Sequence, residues 1–213
     1  MSIEVQAKEN FGFINGLTII STFLFPVIAI GFSLVFDVKI PSSLFIFFAI
    51  STRFLGDWFF WTKMLPQKIS SLKEILFSHP ETVHAMMDLF MDLVQDVVLV
   101  YLAFKASASP AWVFFVMLGS QALSAPVKGI VSDRWSRKNF RVFSMIVSVI
   151  IVVTALGVCD IESLHPYVQL FGLHYFSSSV QMLILLGVKN FLSATTIISN
   201  ARIADCIAIV EKE

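Results

Sequence analysis

The sequence predicts an all-α integral membrane protein, a polytopic helix bundle of about six transmembrane helices with both termini in the cytoplasm. Three observations predict it. Of 213 residues 57% are hydrophobic and 22 are Phe, giving a mean hydropathy of +0.83. Only 14% are charged, where a soluble domain carries about a quarter. The apolar residues also fall in long continuous blocks. So few charges cannot cover a surface that faces water all round, so the solvent for much of the chain is lipid. There every backbone N–H and C=O must be satisfied internally, which leaves helices or closed barrels. Barrels need short alternating strands, and long blocks exclude them.

A helix needs about 20 apolar residues to cross the hydrocarbon. The first block, Phe11–Val35, is nearly unbroken. The preceding MSIEVQAKEN lacks a basic region and a small-residue cleavage site, so this block reads as a retained span rather than a signal peptide. The second, Pro41–Met64, carries Arg53 and Asp57 in its later half, and the third, Ala85–Phe104, carries Asp88, Asp92 and Asp96. The fourth is Pro110–Val131 with Pro126 inside it, the fifth Val142–Val158, and the sixth Ser179–Val210, which leaves the membrane near Arg202. The chain thus divides into a two-helix hairpin over 1–64, a connector over 65–84 and a four-helix region over 85–213, with a basic cytoplasmic loop at 132–141. Within the connector Ile69, Leu72, Ile75 and Leu76 recur at helical spacing and predict a short amphipathic helix on the inner surface. The two cysteines, Cys159 and Cys206, fall near opposite faces and cannot bridge within the chain.

Orientation follows from the bases. Lys8, Lys63, Lys68, Lys73, Lys128, Arg134, Arg137, Lys138, Arg141 and Lys212 fall on one side, and only Lys39 and Lys105 on the other. The crowded side is the inside. The fixed orientation and the missing targeting segment suit a bacterial inner membrane. Zero net charge gives no reason to expect nucleic acid as a partner.

Ionisable residues at membrane depth cost about 2.5–3.5 kcal/mol each and mark function by default. Asp88, Asp92 and Asp96, spaced by four, share one helix face, and that face must look at protein or water. Counting 1.5 Å per residue from the outer ends puts Asp96 level with Lys189 and Asp92 level with Arg53, and both are expected as intramembrane pairs. Asp57 and Asp88 share a level too, while Arg53 and Asp57, at i and i+4, offer a competing local pair. The stripe reads either as a proton- or cation-coupled pathway or as a set of fasteners between helices. No enzyme is expected. Aspartates can hold Mg²⁺ for phosphoryl transfer, but no D-G…A-R…G…D…D spacing occurs. His79, His84, His165 and His174 are scattered. No catalytic residue, metal or cofactor is predicted.

The segment Gly129-Ile-Val-Ser-Asp133-Arg134-Trp-Ser-Arg137-Lys138 joins spans four and five. It resembles motif A of the major facilitator superfamily, the G-x-x-x-D-R-x-G-R-K/R loop between the second and third helices of a six-helix bundle. Gly129, Asp133, Arg134, Arg137 and Lys138 match, and Ser136 stands at the second glycine. The span before it, with Ser120, Ser124 and Pro126, resembles that family's second helix, and Asn190–Asp205 its fourth. The resemblance implies a transporter in which Asp133 and Arg134 latch the cytoplasmic side. Two extra spans precede the matching region, and six spans are half a complete transporter. The chain is therefore expected to work as a homodimer on an unidentified small molecule, or as a non-transporting subunit held by a hetero-oligomeric membrane partner.

Overall fold

The computed structural model describes residues 11–37, 80–135, 137–159 and 161–193. Every regular element among them is helical: α1 (Phe11–Phe36), α2 (Pro80–Lys105), α3 (Pro110–Arg134), α4 (Arg137–Cys159), the short α5 (His165–Leu170) and α6 (Ser178–Leu192), with single 3₁₀ turns at Glu162–Leu164 and Leu173–Tyr175. The second apolar block with Arg53 and Asp57, the amphipathic segment 69–77, Cys206 and the stretch beyond Ser193 lie outside the described residues.

Local chemistry sets the helix ends. Pro110 opens α3, where a missing N–H costs nothing. The α2–α3 turn closes with Ser107 N–H on Phe104 O and Ala108 N–H on Ala103 O, both at 2.9 Å. This double closure needs a left-handed residue between helix and turn, and Ser107 supplies it at φ 63°. α2 starts at Pro80, inside the stretch expected as connector. Most of the basic stretch 132–141 is helical as well. α3 runs through Arg134, Trp135 N–H closes on Val131 O at 2.7 Å, and α4 starts at Arg137. The reason is packing: the Trp135 ring lies 5.7 Å from that of Phe140 and 6.2 Å from that of Phe143, which draws the two helices into a two-residue link.

α2, α3, α4 and α6 alternate in direction. Their ends on the side of the α2–α3 turn form one apolar core, with Leu99 and Leu102 of α2, Val113 of α3, Ile151 and Ala155 of α4 and Met182 and Leu186 of α6. Val168 of α5 and Leu173 cap it from the connecting loop. α1 packs chiefly on α3, through Phe23 and Ile30 against Leu118 and Ala122. Gly16 permits the closest approach: a Cβ there would stand 2.5 Å from Ala125 O.

The outward faces are apolar too. Met87, Phe90, Leu93, Val97 and Tyr101 of α2 and Val142, Phe143, Ile146 and Val149 of α4 are exposed. Two of the described helices, α3 and the Lys138–Cys159 length of α4, are long and apolar enough to cross a membrane, while the apolar stretches Pro26–Phe36 and Ser178–Leu192 are shorter.

Candidate functional site: a charged layer in the bundle

The halves of the same four helices away from the α2–α3 turn carry polar side chains toward the bundle interior. On α2 the four-residue spacing of Asp88, Asp92 and Asp96 keeps one face acidic over two turns. Across from it α6 presents Lys189, whose exposure is 0%. Its Nζ donates to Asp92 Oδ1 at 2.8 Å and to Asp96 Oδ1 at 2.7 Å. One ammonium thus bridges carboxylates one helical turn apart. Ser193 Oγ donates to Asp92 Oδ1 at 3.0 Å and stands 3.5 Å from Ser144 Oγ of α4.

One turn nearer the Pro80 end of α2, Arg141 of α4 meets Asp88 as a fork, with Nε 2.6 Å from Oδ2 and Nη2 donating to Oδ1 at 2.7 Å. The Nη2 contact is a charge-assisted hydrogen bond, and Nε adds a close ion contact without hydrogen-bond geometry. From α3, Lys128 reaches in and donates to the Asn190 carbonyl at 2.6 Å. Gln121 Nε2 donates to Asn190 Oδ1 at 2.6 Å, and Asn190 Nδ2 donates back to Leu186 O at 3.0 Å. The polar layer is cross-linked on four helices, with the apolar core closing it on the side of the α2–α3 turn.

The level count expects Asp96 beside Lys189, and the ion pair is there. It expects Asp92 beside Arg53. Asp92 shares Lys189 as well, and Arg53 and Asp57 lie outside the described residues. Two participants went unread in the sequence. Arg141 and Lys128 both count as inner-loop bases there, yet Arg141 pairs with Asp88 and Lys128 is buried. Counting from the inner ends would have found the first: Arg141 is four residues into α4 and Asp88 eight into α2, a difference of about 6 Å that a long guanidinium spans. Helical phase would have found the second, because Gln121, Ser124, Lys128 and Ser132 at i, i+3, i+7 and i+11 share one face of α3.

The residues matching motif A separate from this layer. Gly129 is buried in the last turns of α3, Asp133 is half-buried, and Arg134 and Lys138 are exposed. Arg134 suits the negative end of α3, whereas Arg137 and Lys138 sit in the first turn of α4, where the helix dipole disfavours cations. Helix stability does not explain those two bases. No group of three His, Cys, Asp or Glu that could hold a metal occurs among the described residues.

The sixth span also differs from expectation. A continuous helix over Ser179–Val210 is expected, but α6 ends at Leu192 and Ser193 is extended (φ −66°, ψ 122°). The bonds that compete with helix continuation are in place: Ser193 Oγ on Asp92 and the Lys128 ammonium on Asn190 O. The chain matches no protein-family model, no curated protein and no solved structure.

Proposed function

We propose that this chain is an integral membrane protein of transporter type, related to the major facilitator superfamily, in which Asp92, Asp96 and Lys189 carry the coupling charge. One observation carries the reading. A lysine with no exposed surface is shared between two carboxylates in a bundle whose outward faces are apolar. Apolar outside with charge inside is the arrangement lipid demands, and charges kept at that cost mark ion pathways. A shared ammonium also has the property coupling requires. Neutralising either carboxylate leaves Lys189 paired with the other, so the layer has two charge-paired arrangements.

On this reading the protein spans the membrane six times with both ends inside, in a bacterial inner membrane. Two copies pair in parallel about an axis along the membrane normal. The stretch around Gly129, Asp133, Arg134, Arg137 and Lys138 gates the inner side. A second reading, a non-transporting subunit of a larger assembly, draws on the scarcity of glycine, 9 in 213 residues, which suits fixed packing better than sliding helices.

Proteoliposomes on a solid-supported membrane separate the two. PH and Na⁺ jumps should evoke transient currents in the wild type, lost in Asp92→Asn and Asp96→Asn. A wild type silent to both jumps, co-purifying with a stoichiometric membrane partner, would establish the subunit instead.

A further inference from the structure

The geometry points to a site for one alkali-type monovalent cation at the inner end of α6, where the Lys128 ammonium now sits and which that ammonium vacates when the ion enters. α6 has 15 residues, about 22 Å at 1.5 Å each, against about 30 Å of hydrocarbon. On the membrane reading its last turn therefore ends at lipid depth. A helix end leaves its final carbonyls without helical donors. Lys189 O takes the Ser193 N–H at 2.7 Å, and Asn190 O takes Lys128 Nζ at 2.6 Å. The oxygens gathered at this end are Asn190 O, Ser193 Oγ and the Asp92 carboxylate. Main-chain and hydroxyl oxygens at the negative end of a half-helix bind a desolvated monovalent ion. A proton could lodge only on the carboxylate.

Two observations beyond the acidic stripe point to a ligand. The first is that a cation already occupies the place. Lys128 is only 8% exposed, its bond is to a neutral carbonyl, and the charges of Asp92, Asp96 and Lys189 act on it. The second is Ser148 of α4, whose hydroxyl is buried with no hydrogen-bond partner among the described residues. It lies on the α4 face that carries Arg141 and Ser144, one turn past the Ser144 hydroxyl that stands 3.5 Å from Ser193 Oγ. Counting charge decides which ammonium moves. Two carboxylates and two ammoniums cancel, so another cation enters only if one lysine withdraws. Lys189 is held by two carboxylates and Lys128 by a carbonyl, so Lys128 leaves.

The ion's purpose rests on the transport reading, but its binding is measured without flux. The full chain in mild detergent is melted against NaCl or choline chloride at constant ionic strength and fixed pH. Na⁺ should raise the Tm and choline should not. Lys128→Gln keeps a donor for Asn190 O without the charge, and Lys128→Met removes both. Each should lower the half-saturating Na⁺ concentration by about tenfold or more, and Asp92→Asn should abolish the Na⁺ response. Equal Na⁺ and choline curves in wild type and Lys128→Gln would overturn the site. So would a Lys128→Gln midpoint equal to wild type, with Lys128→Met merely unstable, because Lys128 is then a helix cap. Currents lost in Asp92→Asn alongside an unchanged Lys128→Gln midpoint would sink the exchange and spare transport. A silent wild type with the Na⁺ shift present would do the reverse.

Discussion

Replacing Lys189 with Met removes the one ammonium that Asp92 and Asp96 share and leaves two like charges a turn apart. Breaking a buried ion pair by deleting one partner costs about 3–5 kcal/mol. The Asp92 and Asp96 side chains keep 14% and 18% exposure, so some solvent reaches the stranded carboxylates and the loss falls near about 3 kcal/mol. Asp96→Asn is milder. Lys189 keeps Asp92, and the loss of one charge-assisted bond costs roughly 1.5 kcal/mol. The combined variant Lys189→Met/Asp92→Asn leaves one carboxylate, Asp96, with the buried Lys128 ammonium acting as its counter-charge. It should recover much of what Lys189→Met loses because the second, uncompensated carboxylate is gone. Reversible unfolding of the full chain by SDS in mixed micelles, followed by tryptophan fluorescence, reads all three. A Lys189→Met protein within about 0.5 kcal/mol of wild type, the range of ordinary surface changes, would refute the reasoning. So would a combined variant less stable than the single one.

Other changes test the frame around the layer. Ser107→Gly relieves a left-handed residue at φ 63° and should stabilise by roughly 0.5–1 kcal/mol in the same unfolding assay. Gly16→Val forces a side chain onto the Ala125 carbonyl and should cost about 1–3 kcal/mol through overpacking, with a cysteine cross-link between Ile19 and Ala122 losing efficiency. Arg141→Gln undoes the fork on Asp88. At 30% and 11% exposure the pair is partly screened, so the loss should stay near about 1 kcal/mol, clearly below that of Lys189→Met.

The helical class and most helix positions are legible because long apolar blocks leave few alternatives. The helices starting at Pro80 and Arg137 nevertheless begin about a turn before the apolar starts read at Ala85 and Val142, where polar residues still suit a helix end. The Asp96–Lys189 pair is legible because spacing by four fixes a face and residue counts fix a level. The level count failed to place Lys128. A base at the inner end of a span looks like an orientation signal, and only the packing of α3 on α6 reveals that its ammonium turns inward. The end of α6 was hidden for a related reason. Residues 193–210 read as apolar enough to continue, and the bonds from Ser193 to Asp92 and from Lys128 to Asn190 O that compete with helix continuation are tertiary. Arg141 escaped notice because levels were counted from the outer ends alone, where small errors accumulate along the helix.

The apolar outward faces of α2 and α4 should meet lipid while the charged layer lies inside. Single cysteines at Val97 and Ile146, carrying an environment-sensitive fluorophore in reconstituted bilayers, test it directly. Brominated acyl chains should quench both labels and aqueous iodide neither. Strong iodide quenching with none from brominated lipid would place those faces in water and contradict the claim.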